Sequence, residues 1–149
     1  MKKCVITNIV PMKLTEHFSL SEFEHSITAQ RMGIDNAVPE AVVPAIRNLC
    51  RQVLEPLRQH VGEPVTINSG YRCPRLNGLV GGVGNSQHLK GEAADIPYRK
   101  GWMEWIMEYT DFDQLILETS QGAKWIHVSC RLDSKANRHR VVKGGTGKR

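Results

Sequence analysis

A chain of 149 residues with 40% hydrophobic and 23% charged side chains is long enough to bury a single core and too apolar to be a disordered segment. No run approaches the roughly 20 uninterrupted apolar residues that a bilayer crossing needs, which excludes a membrane-spanning helix. The net charge of +5 sits at one end: residues 131–149 carry seven basic side chains (Arg131, Lys135, Arg138, Arg140, Lys143, Lys148 and Arg149) against one acid, Asp133, so the rest of the chain is close to neutral.

Taken in chain order, Lys2 and Lys3 precede a short apolar run broken by Asn8, and no small-residue cleavage site follows before Glu16 and His17. This is not the pattern of a secretory signal, and the expectation is a protein that stays in the cytoplasm until released, as in phage- or prophage-driven lysis. Residues 1–17 read as an N-terminal segment, 18–143 as the domain and 144–149 as a disordered basic tail. Ser19 with Glu22 and Ser21 with Glu24 form two overlapping capping boxes that predict a helix start. A longer helix is predicted from Pro39 to about His60. Its stripe Val42, Val43, Ile46, Leu49, Cys50, Val53, Leu54 and Leu57 recurs at spacings of three and four, Pro44 lies near its start, and Pro56 should kink or shorten its end. The period then changes. Pro64–Ser69 reads as a strand, Pro74–Leu79 as a short turn or helix, Gly81–Asn85 as a loop, Ala93–Tyr98 as a strand and Gly101–Tyr109 as a helix with Trp102 and Trp105 packed toward the sheet. Asp113–Glu118 and Trp125–Cys130 read as two strands of a hairpin, and Arg138–Lys143 as an edge strand. Helices first and a sheet afterwards predict an α+β domain, with an antiparallel sheet and helices packed on one side of it. Cys4, Cys50, Cys73 and Cys130 are far apart with no CxxC pair, so free thiols are expected rather than a disulfide frame or a cysteine zinc site.

The densest chemical signal is Ser86-Gln-His-Leu-Lys-Gly-Glu-Ala-Ala-Asp95. His88 follows a glycine-rich loop, Asp95 opens a strand, and Gly91, Ala93 and Ala94 between them let the chain fold back. His127 lies inside the strand Trp125–Ser129 and shares a face with Trp125 and Ser129 by alternation. Two imidazoles and a carboxylate are a ligand set for catalytic zinc that leaves one coordination position open. Taken singly, a strand histidine serves equally as a hydrogen-bonded structural group and an aspartate as a cap. His17, His25, His60 and His139 have no partner at ligand spacing. The Gly81–Asn85 loop lacks the Gly-Lys-Ser/Thr of a phosphate cradle.

Ser-x-His-x-x-Gly-x-Ala-x-Asp followed by Trp-x-His resembles the zinc D-alanyl-D-alanine carboxypeptidase family, which includes phage endolysin peptidases and shares the hedgehog/DD-peptidase fold. Asn68-Ser-Gly-Tyr-Arg72, Leu76-Asn77, Gly81-Gly82 and Phe112–Ile116 extend the likeness over about residues 18–130. The resemblance implies one zinc per chain held by His88, Asp95 and His127. It also implies Arg72 as the group that polarises the scissile carbonyl and steadies the oxyanion, with an ion pair as its other reading. Ser86, Gln87 and Gln114 are expected around these groups, Ser86 also as a loop-closing residue. Where several relatives carry an acid just before the second histidine, this chain has Lys124 and Trp125. Glu118 is therefore the expected general base, with Asp113 the alternative. The implied substrate is a peptidoglycan stem peptide, cut either at its D-Ala-D-Ala end or between L- and D-residues. A non-catalytic, zinc-containing wall-binding or partner-binding module is the competing reading. The basic tail suits an anionic wall polymer; nucleic acid is disfavoured because no aromatic follows Trp125 to stack on bases.

Overall fold

The computed structural model describes residues 12–145. Most of the helices precede the four-stranded sheet in the chain, with one helix between its strands, as the α+β reading expects. Strands β1 (Lys13–Thr15) and β2 (Phe18–Ser19) pair into a small ribbon. Helix α1 (Leu20–Glu24) follows, with the Ser19 N–H donating to Glu22 Oε2 at 2.8 Å in the first predicted capping box. The second box does not form, because the Glu24 carboxylate accepts instead from the Val38 N–H at 2.8 Å and ties down the loop after helix α2 (Ile27–Met32).

The N-terminal segment drawn at 1–17 contributes its last residues to the fold: Leu14 lies in the core, and a clasp on Glu55 fastens the ribbon to the long helix. Glu55 accepts from Thr15 Oγ1 (2.7 Å), the His17 N–H (2.8 Å), His17 Nδ1 (2.6 Å) and Gln59 Nε2 (2.9 Å). Burial alone would raise this carboxyl, but those hydrogen bonds outweigh it and hold it at about 2, against an ordinary 4.5. A depressed folded value gives stability that is complete above pH 4.5 and is lost as the pH falls toward 2. Denaturant unfolding measured across that window should therefore show Glu55→Gln to be less stable than wild type at neutral pH by on the order of 2 kcal/mol. The difference should shrink steadily on acidification.

The predicted long helix is present from a 3-10 turn at Glu40–Val42 through α3 (Val43–Leu49) to α4 (Glu55–Val61). Pro56 does not end it. Cys50–Leu54 widens into a π-turn, with the Glu55 N–H reaching back to the Cys50 carbonyl. This wider turn relieves the crowding a proline ring makes with the carbonyl four residues earlier. Helix α5 (Pro74–Leu79) and a 3-10 turn at Gln87–Lys90 lead into the sheet, and α6 (Trp102–Tyr109) lies between its first two strands in sequence.

The sheet has the order β3 (Ala93–Pro97), β5 (Ala123–Ser129), β4 (Gln114–Ser120), β6 (Arg140–Gly145). It corrects the fully antiparallel expectation: β6 runs parallel to β4. The reason is local. After β5 the chain returns to the start of β4, where Asp113 captures it through the Arg138 N–H (2.8 Å) and the Arg140 N–H donates to the Asp113 carbonyl (2.8 Å), so β6 sets off in the direction of β4. A second correction concerns residues 64–69, which form no strand. They touch the sheet through one bridge, Ser69 to Asp95. The residues drawn as the start of the tail, Gly144 and Gly145, close β6, and 146–149 lie outside the described residues. Cys50, Cys73 and Cys130 are free thiols, and Cys4 also lies outside the described residues. No described helix is long and apolar enough to cross a membrane.

Alternation divides the sheet cleanly. Ala94, Ile96, Leu115, Ile126 and Val128 pack into one cluster with Ile46, Leu49, Val53, Leu54 and Leu57 of the long helix and Trp102, Met103 and Ile106 of α6. The helices that build the core thus cover this face, and the opposite face is left for chemistry.

Candidate metal centre

The register of the sheet places the first two candidates opposite each other: Asp95 of β3 pairs with His127 of β5. Both lie on the face away from the helices, and His127 Nδ1 sits 3.0 Å from Asp95 Oδ1. His88 reaches the same oxygen from the 3-10 turn, with Nε2 at 3.3 Å. Ser86 caps that turn by accepting from the His88 N–H at 3.2 Å, and this is how the loop delivers the ring. All three side chains are buried, and their ligand atoms lie within 4.8 Å of one another.

The orientation of the His88 ring follows from its partner. A carbonyl only accepts, so Nδ1 carries the hydrogen it gives to Gly70 O at 2.6 Å. Nε2 is fully buried, has no hydrogen-bond partner and faces Asp95 Oδ1 at 3.3 Å. Burial would raise the Asp95 carboxyl, but His88 and His127 outweigh it and hold it well below the usual carboxylate range. Two imidazole nitrogens and an ionised carboxylate, one of them a buried donor with nothing to bond, fit a divalent ion of borderline softness. The backbone carbonyl behind His88 is the kind of outer partner that orients a metal-binding imidazole.

Arg72 stands beside this group. Its Nη2 is 3.8 Å from Asp95 Oδ2, its Nη1 donates to Asn77 Oδ1 at 3.1 Å, and its backbone N–H donates to the His88 carbonyl at 3.1 Å. Gly82 makes room for this arrangement: a Cβ there would lie 2.1 Å from Asn77 Oδ1 and 2.9 Å from Arg72 Nη1. Burial lowers the Arg72 guanidinium somewhat, while the charges of Asp95 and Glu118 favour its ionised form. Glu118 therefore lies within electrostatic reach of Arg72. It is buried, shares the face of Gln114 and Ile116, and pairs with Trp125 while Ile116 pairs with His127, so it stands one alternate position along from the metal-facing imidazole.

Asp113 is committed elsewhere. It is fully buried and accepts from Arg138 Nε (3.0 Å) and Nη2 (2.8 Å) and from Gln87 Nε2 (3.0 Å), with Arg131 Nε at 3.2 Å. Burial would raise its carboxyl, but these partners hold it well below the usual range. It braces Gln87, next to His88, against the connection that leads into β6. Ser86 and Gln87 thus act on the loop that carries His88. Together with them, Gln114 lines a cleft of about 410 Å³ that opens beside His127. The Gly70 carbonyl and Asn77 went unmarked as site groups in the sequence reading. A backbone acceptor has no residue signature, although Asn77 with Gly82 fits a side chain that needs a glycine opposite it.

Among known proteins, the zinc D-Ala-D-Ala carboxypeptidase of Streptomyces albus G is 43% identical to this chain over 44 residues. That similarity covers 29% of this chain and 17% of the relative's length. The pattern of the peptidase M15 family matches residues 16–129, a span that includes His88, Asp95 and His127, and the chain belongs to that family.

Proposed function

We propose that the protein is a zinc metallopeptidase with the hedgehog/DD-peptidase fold that hydrolyses D-amino-acid-containing peptide bonds of peptidoglycan, as a D-Ala-D-Ala carboxypeptidase or an L,D-endopeptidase. The observation that carries this reading is the convergence of His88, Asp95 and His127 on one point beside an arginine and a buried glutamate. Bound there, zinc supplies Lewis acidity that polarises an amide carbonyl and makes a water nucleophilic near neutral pH.

The chain's own groups do the rest. Arg72, fixed by Asn77, points donors at the oxygen that gathers charge as the carbonyl carbon becomes tetrahedral. Glu118 takes a proton from the attacking water. A carbon–oxygen bond forms, the carbon–nitrogen bond breaks, and the same carboxyl returns the proton to the leaving amine. Gly70 and Ser86 keep His88 in one tautomer and one orientation through the cycle.

Incubation of the zinc-loaded protein with purified peptidoglycan, followed by mass spectrometry of the soluble products, tests the reading. Release of D-alanine, or of stem-peptide fragments with a new amino terminus, is expected. Zinc-loaded, folded protein that releases neither would overturn the peptidase reading and leave a zinc-containing binding module in its place.

A further inference from the structure

Two clefts open near the triad, and one of them has a triad residue, His127, in its lining. One, of about 530 Å³, is lined by Arg72, Asn68, Ser69, Ile67 and Thr66. The other, of about 410 Å³, is walled by the loop carrying Ser86, Gln87 and Lys90 and floored by His127, Ile116 and Arg140. The two clefts differ in charge. In the second, Lys90, Arg131, Arg138 and Arg140 face a single lining acid, Glu92, which accepts a hydrogen bond from Gln87 at 3.2 Å.

Arg131 and Arg138 already share one ion-pair partner, Asp113. Lys90 and Arg140 do not: both are exposed, and neither forms an ion pair among the described residues. Arg140 belongs to the chemical face of the sheet. It pairs with Gln114 while Val142 pairs with Ile116, and Ile116 pairs in turn with His127. Two strand spacings separate β6 from β5, roughly 10 Å, which is the span of about three residues of extended peptide. Two cations, one from the loop wall and one from the floor of a cleft that also has His127 in its lining, suit an anion carried by the substrate itself.

We propose that Lys90 and Arg140 hold a carboxylate of the substrate peptide within about three residues of the bond that is cut. This rests on the peptidase reading above and adds to it a requirement for an acidic group on that side. A stem peptide offers two sources, the free α-carboxylate of a γ-linked D-glutamate and the C-terminal carboxylate. The cleft recognises their shared chemistry.

The test uses the zinc-loaded protein and acetylated L-Ala-γ-D-Glu-L-Lys-D-Ala-D-Ala in three forms: both carboxylates free, the glutamate α-carboxylate amidated, and the C-terminus amidated. Dissociation constants are read by calorimetry in a Glu118→Gln background, and kcat and KM are read separately in the wild-type background. One amidation should weaken binding about tenfold, the size of a lost charge-assisted hydrogen bond, and it names the carboxylate. In the Lys90→Gln/Arg140→Gln double variant that preference should fall below about twofold. Arg140→Lys should retain most of it, and added salt should erode it in the parent protein because both cations are exposed. Equal affinity for all three peptides, or a preference that survives in the double variant, overturns the subsite. If no peptide is hydrolysed, the peptidase reading fails on its own, while the acid-over-amide preference in calorimetry still decides for or against the subsite.

Discussion

Replacing Glu118 with glutamine is expected to lower kcat for peptide hydrolysis by about 10²–10⁴-fold, the usual contribution of a positioned general base. The substitution preserves size and polarity and removes only the ability to take up and return a proton. Glu118 is not one of the three groups that converge on the ligand point, so the zinc content should match wild type. Its burial on the face of His127, one alternate position along β4, is what makes it the candidate. Asp113, the alternative drawn from sequence, is held by Arg131, Arg138 and Gln87 and has no acceptor left to offer. Asp113→Asn should therefore act on stability, through the connection to β6, before it acts on chemistry. Activity measured beside metal analysis separates these outcomes. A Glu118→Gln protein that turns over normally, or that has lost its zinc, would assign the carboxylate a different job.

Truncating His88 to alanine is expected to reduce zinc affinity by more than about 100-fold, beyond the loss usual for an outer partner of a ligand, and to abolish hydrolysis with it. The ring is completely buried and contributes Nε2, which has no hydrogen-bond partner. Its loss also strands the Gly70 carbonyl, at about 1–3 kcal/mol. Gly70 packs closely on Phe23, where an added Cβ would lie 2.7 Å from the Phe23 Cα. The variant should remain folded but melt earlier, so metal affinity must be read at a temperature where circular dichroism shows native structure. His127→Ala removes the cross-strand partner of Asp95 and should lose the metal in the same way.

What was legible in the chain follows from how information is written in it. Spacing and strand alternation marked His88, Asp95 and His127 as candidates, the resemblance to the zinc carboxypeptidases singled them out as ligands, and the fold sets them within 4.8 Å of one another. Period-of-two patterning likewise placed Gln114, Ile116 and Glu118 on one face. Direction was not legible. Residues 138–143 read as an edge strand, but whether it runs with or against β4 depends on Asp113 capturing Arg138, a contact across 25 positions of sequence. Residues 64–69 carry strand-forming side chains, yet only Ser69 and Asn68 bond to β3, and tertiary context overrides their propensity. Pro56 was expected to bend the long helix, and a π-turn absorbed it instead. Within the basic C-terminal region, Arg131, Arg138 and Arg140 line the cleft beside His127, a placement that charge counting alone does not give.

The most direct measurement is the zinc content of purified wild-type, His88→Ala and His127→Ala proteins, taken by elemental analysis after saturation and exhaustive dialysis. One zinc per wild-type chain and almost none in either folded variant is the expected result. A wild-type chain that stays metal-free when zinc is supplied, or variants that keep the ion in full, would mean that the imidazoles at 88 and 127 meet over Asp95 for some purpose other than holding a metal.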